Sequence, residues 1–395
     1  MNAKNISSLT GSCNLRNGFN PIRNLRPETL ANALDSFSFG ILAPAAKIFA
    51  AILERDDLIS ALALKRKKAI SRLDYEIVKK DFSEKAAQHA KILADFYGSV
   101  RATSYADANL SGSLRLLISQ MMDAVAMKYS VHKIAYKCVN GKVCATFTQY
   151  PLWLFENKSG RLRLLKNAND ISSEGTQLNK NEWLTTCGDG LMTASSIAYI
   201  FKQLPLKDWL VYCERNGMPG IKAKTDAYPG SPQWEAACKA VSDFGAEFSA
   251  VLSQGTDIDA IDISTSGELP YKALIERIDK TLCSLWRGAD LSTMSNKDSS
   301  GASLQWYESS LLEEDDVSNI NETLNENVDK TVIRLALGDE EPLAKFKLKL
   351  PDYEMHKDEL DIIERLVKLG LKPDTAKLAK MFSFPCKKDT GNEQV

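Results

Sequence analysis

The chain has 395 residues, 44% hydrophobic and 26% charged, with a formal net charge of −1. Its length exceeds what one compact core usually fills, so two or three subdomains are expected, and the charge balance argues against a general nucleic-acid binder, which carries a clear basic excess. No apolar run approaches the roughly 18–20 residues that span a bilayer. The longest candidate, GILAPAAKIFAAIL, is short and carries Pro44 and Lys47. The opening MNAKNISSLTGSCNLRNG lacks the apolar segment of a secretory signal, so the chain is expected to stay where it is made.

Residues 1–20 are polar and rich in Asn and Ser, the composition of a flexible arm. From Pro27, a favourable first helical position, helical patterning begins in PETLANALDSF. A second helix is expected from Pro44 to Arg55, with Ile48, Phe49, Ile52 and Leu53 on one face. Asp56 has the character of an N-cap for DLISALALKRKKAI. The basic end of that helix (Lys65, Arg66, Lys67, Lys68) complements the helix dipole; a nucleic-acid or partner contact is the other reading of the cluster. RLDYEIV alternates like a half-buried strand, and helices follow at about 83–97 and 110–128.

A β-rich stretch then runs from Val131 to Leu165, with Asn140-Gly141 as a two-residue hairpin turn. In that register Cys138 faces Val143 and Lys137 faces Cys144, so the two thiols point to opposite faces and form no disulfide. With His132 they could suggest a metal site, but the short Cys-x-x-Cys knuckle is missing. Cys138 and Cys144 are instead expected to be buried, reduced thiols, and the eight cysteines are read as lying in a reducing compartment. EWLTTCGDG leads into two helices, TASSIAYIFKQL and LKDWLVYCERNG, separated at Pro205 and closed by Asn216-Gly217. GIKAK is a short strand, and SPQWEAACKAVSDFGAEF a helix with Pro232 in its first position. SAVLSQGTDIDAIDIS suggests two short strands around Gly255. ELPYKALIERIDKTLCSLWRG is an amphipathic helix with a stripe of Leu274, Ile278, Leu282 and Leu285.

Small polar residues then fill the chain after Trp286. Beyond them Val317, Ile320, Leu324, Val328, Val332 and Leu335 recur on one face of a long helix. Its other side carries Glu308, Glu313, Glu314, Asp315, Asp316, Glu322, Glu326 and Asp329, which are expected to be solvated. Two last helices are expected near Asp358–Leu369 and Asp374–Met381.

Chemistry-bearing patterns are sparse. His89, His132 and His356 lie far apart in different kinds of element. No zinc-protease helix, nucleophile elbow, Walker loop or dinucleotide-binding glycine run is present. Cys187 in CGDG, just before a helix start, is the one residue placed to become an activated thiolate; a tight turn is its simpler role. No catalytic residue, metal or cofactor is expected, and the chain does not read as an enzyme.

Three stretches in this order carry a resemblance. NPIRNLRPETLANALDSFSFG with ILERDDLISALALKRKKAISRLDYEIV resembles the N-terminal signature of the Mu-type bacteriophage portal protein family. LKDWLVYCERNGMPGIKAKT is similar to that family's central block, and LIERIDKTLCSLWRGADLSTMS to its later helix and loop. The resemblance spans roughly residues 20–380. It implies an α+β portal fold: a mixed α/β wing, a helical stem, a small β-containing clip and a long channel-side helix. Carried onto this chain it implies an arm at 1–20, a wing at 21–230, stem helices at 231–248 and 268–288, and a clip at 249–267. A tunnel loop at 289–301, a channel helix at 302–338 and crown-like helices with a tail at 339–395 complete the division.

The same resemblance implies that Asp290, Ser292, Lys297, Asp298, Ser299, Ser300 and Gly301 face DNA in the tunnel loop. Gln254, Gly255, Thr256, Asp257 and Asp259 would face the packaging motor in the clip. It further implies a ring of about twelve copies, passing double-stranded DNA without sequence preference. The implied partners are the terminase large subunit, the major capsid and scaffold proteins, and the neck or head–tail connector proteins, with no membrane. The implied location is the portal vertex of the virion, after synthesis in the host cytoplasm. Two other readings stay open. One is a different ring or scaffold protein of a phage head or neck; the other is a nucleic-acid-modifying enzyme using Cys187, or Cys138, Cys144 and His132.

Overall fold

The computed structural model describes residues 20–166, 174–217, 221–247, 256–260, 270–288 and 299–350, together with 364, 365 and 368, which are helical. The arm expected at 1–20 lies outside the described residues except for Asn20. So do His356 and, apart from those three residues, the two expected C-terminal helices. The chain divides into two units: residues up to Arg72 with Ile77–Phe346, and Leu73–Glu76 with residues from Lys347 onward. In the second unit the Lys349 amide donates to the Asp74 carbonyl at 2.8 Å, and Lys349 Nζ lies 3.4 Å from Glu76.

The first unit opens with helices α1 (Pro27–Ser38), α2 (Ala43–Arg55) and α3 (Asp57–Ser71). Proline sits in the first turn of both α1 and α2, where its missing N–H costs nothing. Asp56 caps α3 as expected, its carboxylate accepting from the Ile59 amide at 2.8 Å. The α1–α2 turn passes through Gly40 at φ +83°, where a Cβ would fall 2.4 Å from the Asn157 backbone. Only glycine allows that approach.

Strand β1 (Tyr75–Lys79) and helix α4 (Glu84–Ser99) come next, then β2 (Arg101–Ser104), β3 (Ser111–Gly112), α5 (Leu114–Met121) and α6 (Asp123–Met127). Ser83 caps α4 by accepting from the Ala86 amide at 3.1 Å. The hairpin of β4 (Tyr129–Val139) and β5 (Lys142–Tyr150) has the register its Asn-Gly turn dictates: Cys138 opposite Val143 and Lys137 opposite Cys144. Both turn residues have positive φ, as a tight primed turn requires. The short strands β6 (Phe155–Glu156), β7 (Arg163–Leu164) and β8 (Thr176–Gln177) make a three-stranded sheet. The segment EWLTTC, expected only to lead into a helix, instead forms strand β9 (Trp183–Cys187). It completes a five-stranded sheet in the order β3-β2-β5-β4-β9.

Strand alternation gives that sheet two buried faces. Val131, Tyr150 and Trp183 join a core with Phe49, Ile52 and Leu62 from the N-terminal helices. The same core takes Met192 and Ile200 from α7 (Met192–Gly217) and Leu282 and Trp286 from α9 (Pro270–Arg287). Ile134, Phe147 and Leu184 are buried on the opposite face.

Two expectations for α7 and α9 are corrected. Helix α7 runs unbroken through Pro205, although a proline there removes one backbone donor. Packing on the preceding turn outweighs that loss: Ile200 is in the core, and Lys202, almost fully buried, reaches Asp279 of α9 at 2.9 Å. On α9 only Leu274 departs from the expected stripe, at 45% exposed: Leu282 is buried with Cys283 and Trp286, and Ile278 and Leu285 pack partly buried against the same core.

Beyond α7 come β10 (Ile221–Thr225), α8 (Pro232–Glu247) and β11 (Thr256–Ala260). The chain then reaches α10 (Ser299–Leu324), a π turn (Asn325–Asp329), α11 (Lys330–Leu337) and β12 (Ala344–Leu348), which pairs with β1. Val317, Ile320, Leu324, Val328 and Val332 are buried as their spacing predicts, but Leu335 is 54% exposed and Ile333 is buried in its place. The π turn explains the change, because i→i+5 bonding adds a residue to one turn and shifts the phase of the turns beyond it. Strand β12 was not expected from the sequence, although AKFKL alternates buried and exposed along its length.

Candidate functional site

The segment between α9 and α10 is the expected tunnel loop. Its residues Asp290, Ser292, Lys297 and Asp298 lie outside the described residues. Ser299, Ser300 and Gly301 do not belong to a loop: they form the first turn of α10. A first helical turn has unpaired N–H groups and tolerates serine and glycine far better than a helix interior does. Helix α10 thus takes in the last three positions of the expected loop.

The α9 end of this segment is tied down. At the end of α9, Gly288 takes φ +70° and its amide closes the helix on the Ser284 carbonyl at 2.8 Å, a left-handed cap that suits glycine. Trp286 is fully buried, and its indole Nε1 donates to Ser195 Oγ of α7 at 2.9 Å. Arg66 of α3 ties the two helices together. Its Nε and one terminal nitrogen donate to the Asp316 carboxylate at 2.7 and 3.0 Å, and the other terminal nitrogen donates to the Trp286 carbonyl at 3.1 Å. Asp189 approaches the same guanidinium at 3.6 Å. Ser309 Oγ donates to the Arg287 carbonyl at 2.8 Å, and Arg287 reaches Glu313 at 3.5 Å.

Burial raises the Asp316 carboxyl above the usual carboxylate range, and the bonds from Arg66 pull against that shift. A bidentate guanidinium–carboxylate pair fixes angle as well as distance. The end of α9 is thus joined to α3 and to the stretch of α10 from Ser309 to Asp316.

That arrangement corrects two readings of the charged clusters. Arg66 belongs to the interior, and Lys67 is held by Asp123 at 2.6 Å. The basic end of α3 therefore keeps only Lys65 and Lys68 for any outside contact. Of the eight acidic residues on the long helix, Asp316 and Asp329 are buried rather than solvated; Glu308, Glu314, Asp315, Glu322 and Glu326 remain exposed. The Asp329 carboxylate accepts from Tyr97 Oη at 2.6 Å and from the Phe346 amide at 2.9 Å, joining the π turn to α4 and β12. No spacing signal in the sequence separates these two acids from the solvated ones.

Of the expected clip residues, Gln254 and Gly255 lie outside the described residues. Thr256, Asp257 and Asp259 lie in β11, opposite Thr225, Lys224 and Lys222 of β10. The described partner of β11 is thus β10, the strand expected in GIKAK.

Contrary to the burial expected of them, Cys138 is exposed and Cys144 only half-buried on the β4–β5 hairpin, at register positions one apart. Burial raises the Cys187 thiol above its ordinary value, and Lys128 opposes that shift only in part, the reverse of what activates a thiolate. His132 is wholly buried and pushed down to about 3 by that burial, and among the described residues neither ring nitrogen has a hydrogen-bond partner. His89 is built into the fold, with Nε2 3.0 Å from Asp339 and Nδ1 accepting from the Leu343 amide at 3.0 Å. Among the described residues no three His, Cys, Asp or Glu side chains gather as a metal site, and no helix is long and apolar enough to cross a membrane.

Comparison with known proteins gives the arrangement its context. The fold is similar to a chain in the virion of the native gene transfer agent particle (TM-score 0.52, 10% identity), covering 93% of this chain and 96% of that one. It is similar to a chain in the neck of the native gene transfer agent particle computed with C12 symmetry (TM-score 0.50, 11% identity), covering 90% and 94%. An HK97 family phage portal protein from Corynebacterium diphtheriae aligns with a TM-score of 0.41 at 12% identity, over 76% of this chain and 94% of that one. No individual curated protein matches. The family model described as the portal protein of Mu bacteriophage matches residues 46–384. Matched over most of its length, the chain belongs to the Mu-type bacteriophage portal protein family.

Proposed function

We propose that copies of this chain, about twelve of them, form a ring at one vertex of a phage capsid. Double-stranded DNA passes through its axis during packaging and again during ejection. The family match over residues 46–384 is the observation that carries this reading, and the C12 symmetry of the similar neck structure makes twelve the number to test. In this reading the ring is structural, and the ATPase chemistry belongs to a docked terminase large subunit. Capsid, scaffold and neck proteins meet its other surfaces. Residues 21–230 supply the wing, α8 and α9 the stem, and 249–267, with β11, the clip. Segment 289–298 supplies the tunnel loop. Synthesis is in the host cytoplasm and the final location is the portal vertex.

The loop chemistry suits a conduit. A wall that neutralises many phosphates gains affinity by releasing counterions, and that affinity would hold the moving duplex. Between Gly288 and Ser299 the sequence offers one cation, Lys297, beside Asp290 and Asp298. Replacing Asp290, Ser292 and Asp298 together by Arg is expected to leave ring assembly intact and to cut packaged DNA per particle about tenfold or more. Wild-type packaging by that variant would remove the loop assignment and spare the ring. The ring itself is checked by the mass of the purified full chain in solution. A particle of about a dozen chains with an axial pore is expected, and a stable monomer at micromolar concentration would overturn the proposal.

A further inference from the structure

One face of α7 has no covering layer among the described residues. Ile197, Phe201, Leu204 and Val211 succeed one another at helical spacing, and all are exposed, Phe201 at 58%. Phe201 and Leu204, with Pro205 and with Tyr271 and Leu274 of α9, shape an apolar groove of about 500 Å³ whose lining has a single charged side chain, Asp208. Contiguous apolar surface of this kind marks an interface, whereas singly exposed apolar residues need no explanation.

The turn between β1 and α4 offers the complementary shape. Phe82 is fully exposed at its tip, at 101% of the reference area. Asp81 is folded back onto Ser83, accepting from its amide at 2.9 Å, which fixes the turn and leaves Phe82 outside it. Lys79 and Lys80, three and two positions before Phe82 in the chain, are exposed. An aromatic knob near two cations in the chain matches an apolar groove holding one carboxylate. The two features also lie on opposite sides of the five-stranded sheet. Helix α7 belongs to the core containing Val131, Tyr150 and Trp183. Helix α4 packs through Tyr97 on the Asp329 turn and Phe346, beyond the other face. One copy therefore cannot satisfy itself by a self-facing two-fold contact of a single patch; knob and groove are different surfaces, which is the requirement of a head-to-tail contact that closes into a ring.

We propose that the α7–α9 groove of each copy receives the Phe82 turn of the next copy, with Asp208 facing Lys79 or Lys80. This contact rests on the ring reading and specifies where neighbouring copies meet. Apolar burial at a well-packed centre supplies the affinity, and the charge pair selects the register.

The test uses the full chain with Phe82 replaced by a photoreactive phenylalanine analogue. Irradiation of the assembled ring is expected to give covalent multiples of the chain, with peptides of α7 or α9 attached at position 82. An intact ring whose crosslinks map elsewhere, stay within one chain, join a different protein or do not form would overturn the contact while leaving the ring reading in place. A wild-type chain that never assembles would overturn both. Two further variants separate contact from folding. Phe82→Ala and Leu204→Ala are each expected to reduce assembled ring about tenfold or more without lowering the thermal midpoint of the chain, whereas Phe39→Ala, at another exposed aromatic, is expected to change neither. Asp208→Lys is expected to impair assembly, and Lys79→Glu with Lys80→Glu to restore it. Unimpaired assembly of Phe82→Ala would overturn the proposal.

Discussion

Arg66→Ala is expected to destabilise the chain by about 3–5 kcal/mol, the cost of leaving a buried charge without its partner. The guanidinium donates twice to Asp316 while also closing the Trp286 carbonyl. Without it a carboxylate with almost no solvent contact and a backbone acceptor at the end of α9 are both stranded. A domain is stable by about 5–15 kcal/mol in total, so the loss is a large share of the whole. Arg66→Lys is expected to recover only part, because an ammonium cannot reproduce the two parallel bonds. Replacing Arg66 and Asp316 together by Met and Leu is expected to restore most of the stability, since an apolar pair of similar volume avoids the desolvation cost. Urea denaturation of the four chains checks the order. If Arg66→Ala matched wild type within error, the guanidinium would not be anchoring the end of α9 to α10. The exposed pair of Lys142 with Asp95, at 3.0 Å, serves as a control: Lys142→Ala is expected to leave stability unchanged.

The readable parts of this fold are those whose cause is local. Asn140-Gly141 dictates a hairpin register without reference to anything beyond the two strands, and that register is the one observed. Asp56 caps α3 within three residues of itself. The family resemblance was legible because it rests on several ordered stretches, and the family model spans most of them. Local rules misled where packing from far along the chain decides the outcome. Pro205 predicts a break, but the buried Lys202–Asp279 pair and Ile200 hold the helix on α9 and the core. EWLTTC becomes a strand because β4 offers it an edge. Arg66 and Asp316 are separated by 250 positions, and neither lysine-rich nor acid-rich surroundings reveal which member turns inward. Leu335 loses its core place to Ile333 because of a π turn, which no apolar periodicity announces. For the candidate site, composition identified the small-residue segment and its near-neutral charge, and the structure puts positions 299–301 in α10. The groove on α7 was hidden for a related reason. Its residues share the spacing of a core stripe, and only tertiary structure shows that no described residue covers them.

Asp329 should give the chain a distinctive pH response. Burial pushes its carboxyl up to about 6, against the opposing bonds from Tyr97 and the Phe346 amide and the more distant charge of Lys80. Tyr136 also faces this region; burial holds its hydroxyl neutral, with Thr331, Arg334 and Asp329 around it. In the unfolded chain the same carboxyl titrates near 3.9. The folded state therefore binds the proton more tightly, so this group's contribution to stability falls as pH rises from about 4 through 6 and is flat above about 7. Between pH 5 and pH 7.5 the loss is about 1.4 kcal/mol, and the full span amounts to about 3 kcal/mol. Other carboxylates titrate at the acid end, so the informative quantity is the difference between wild type and Asp329→Asn. That variant keeps the shape and loses the titration. Asparagine offers one acceptor oxygen to two donors, Tyr97 Oη and the Phe346 amide, so the variant starts from a lower stability at pH 7.5. Its pH profile should lack the fall that wild type shows between pH 5 and pH 7.5. Parallel urea-denaturation profiles for the two chains across that window would mean that Asp329 does not titrate there. Tyr97→Phe should move the wild-type fall to higher pH, because it removes a donor that favours the ionised carboxylate. The π turn, α4 and β12 meet at this one side chain, so its protonation state sets how firmly the end of the long helix is held.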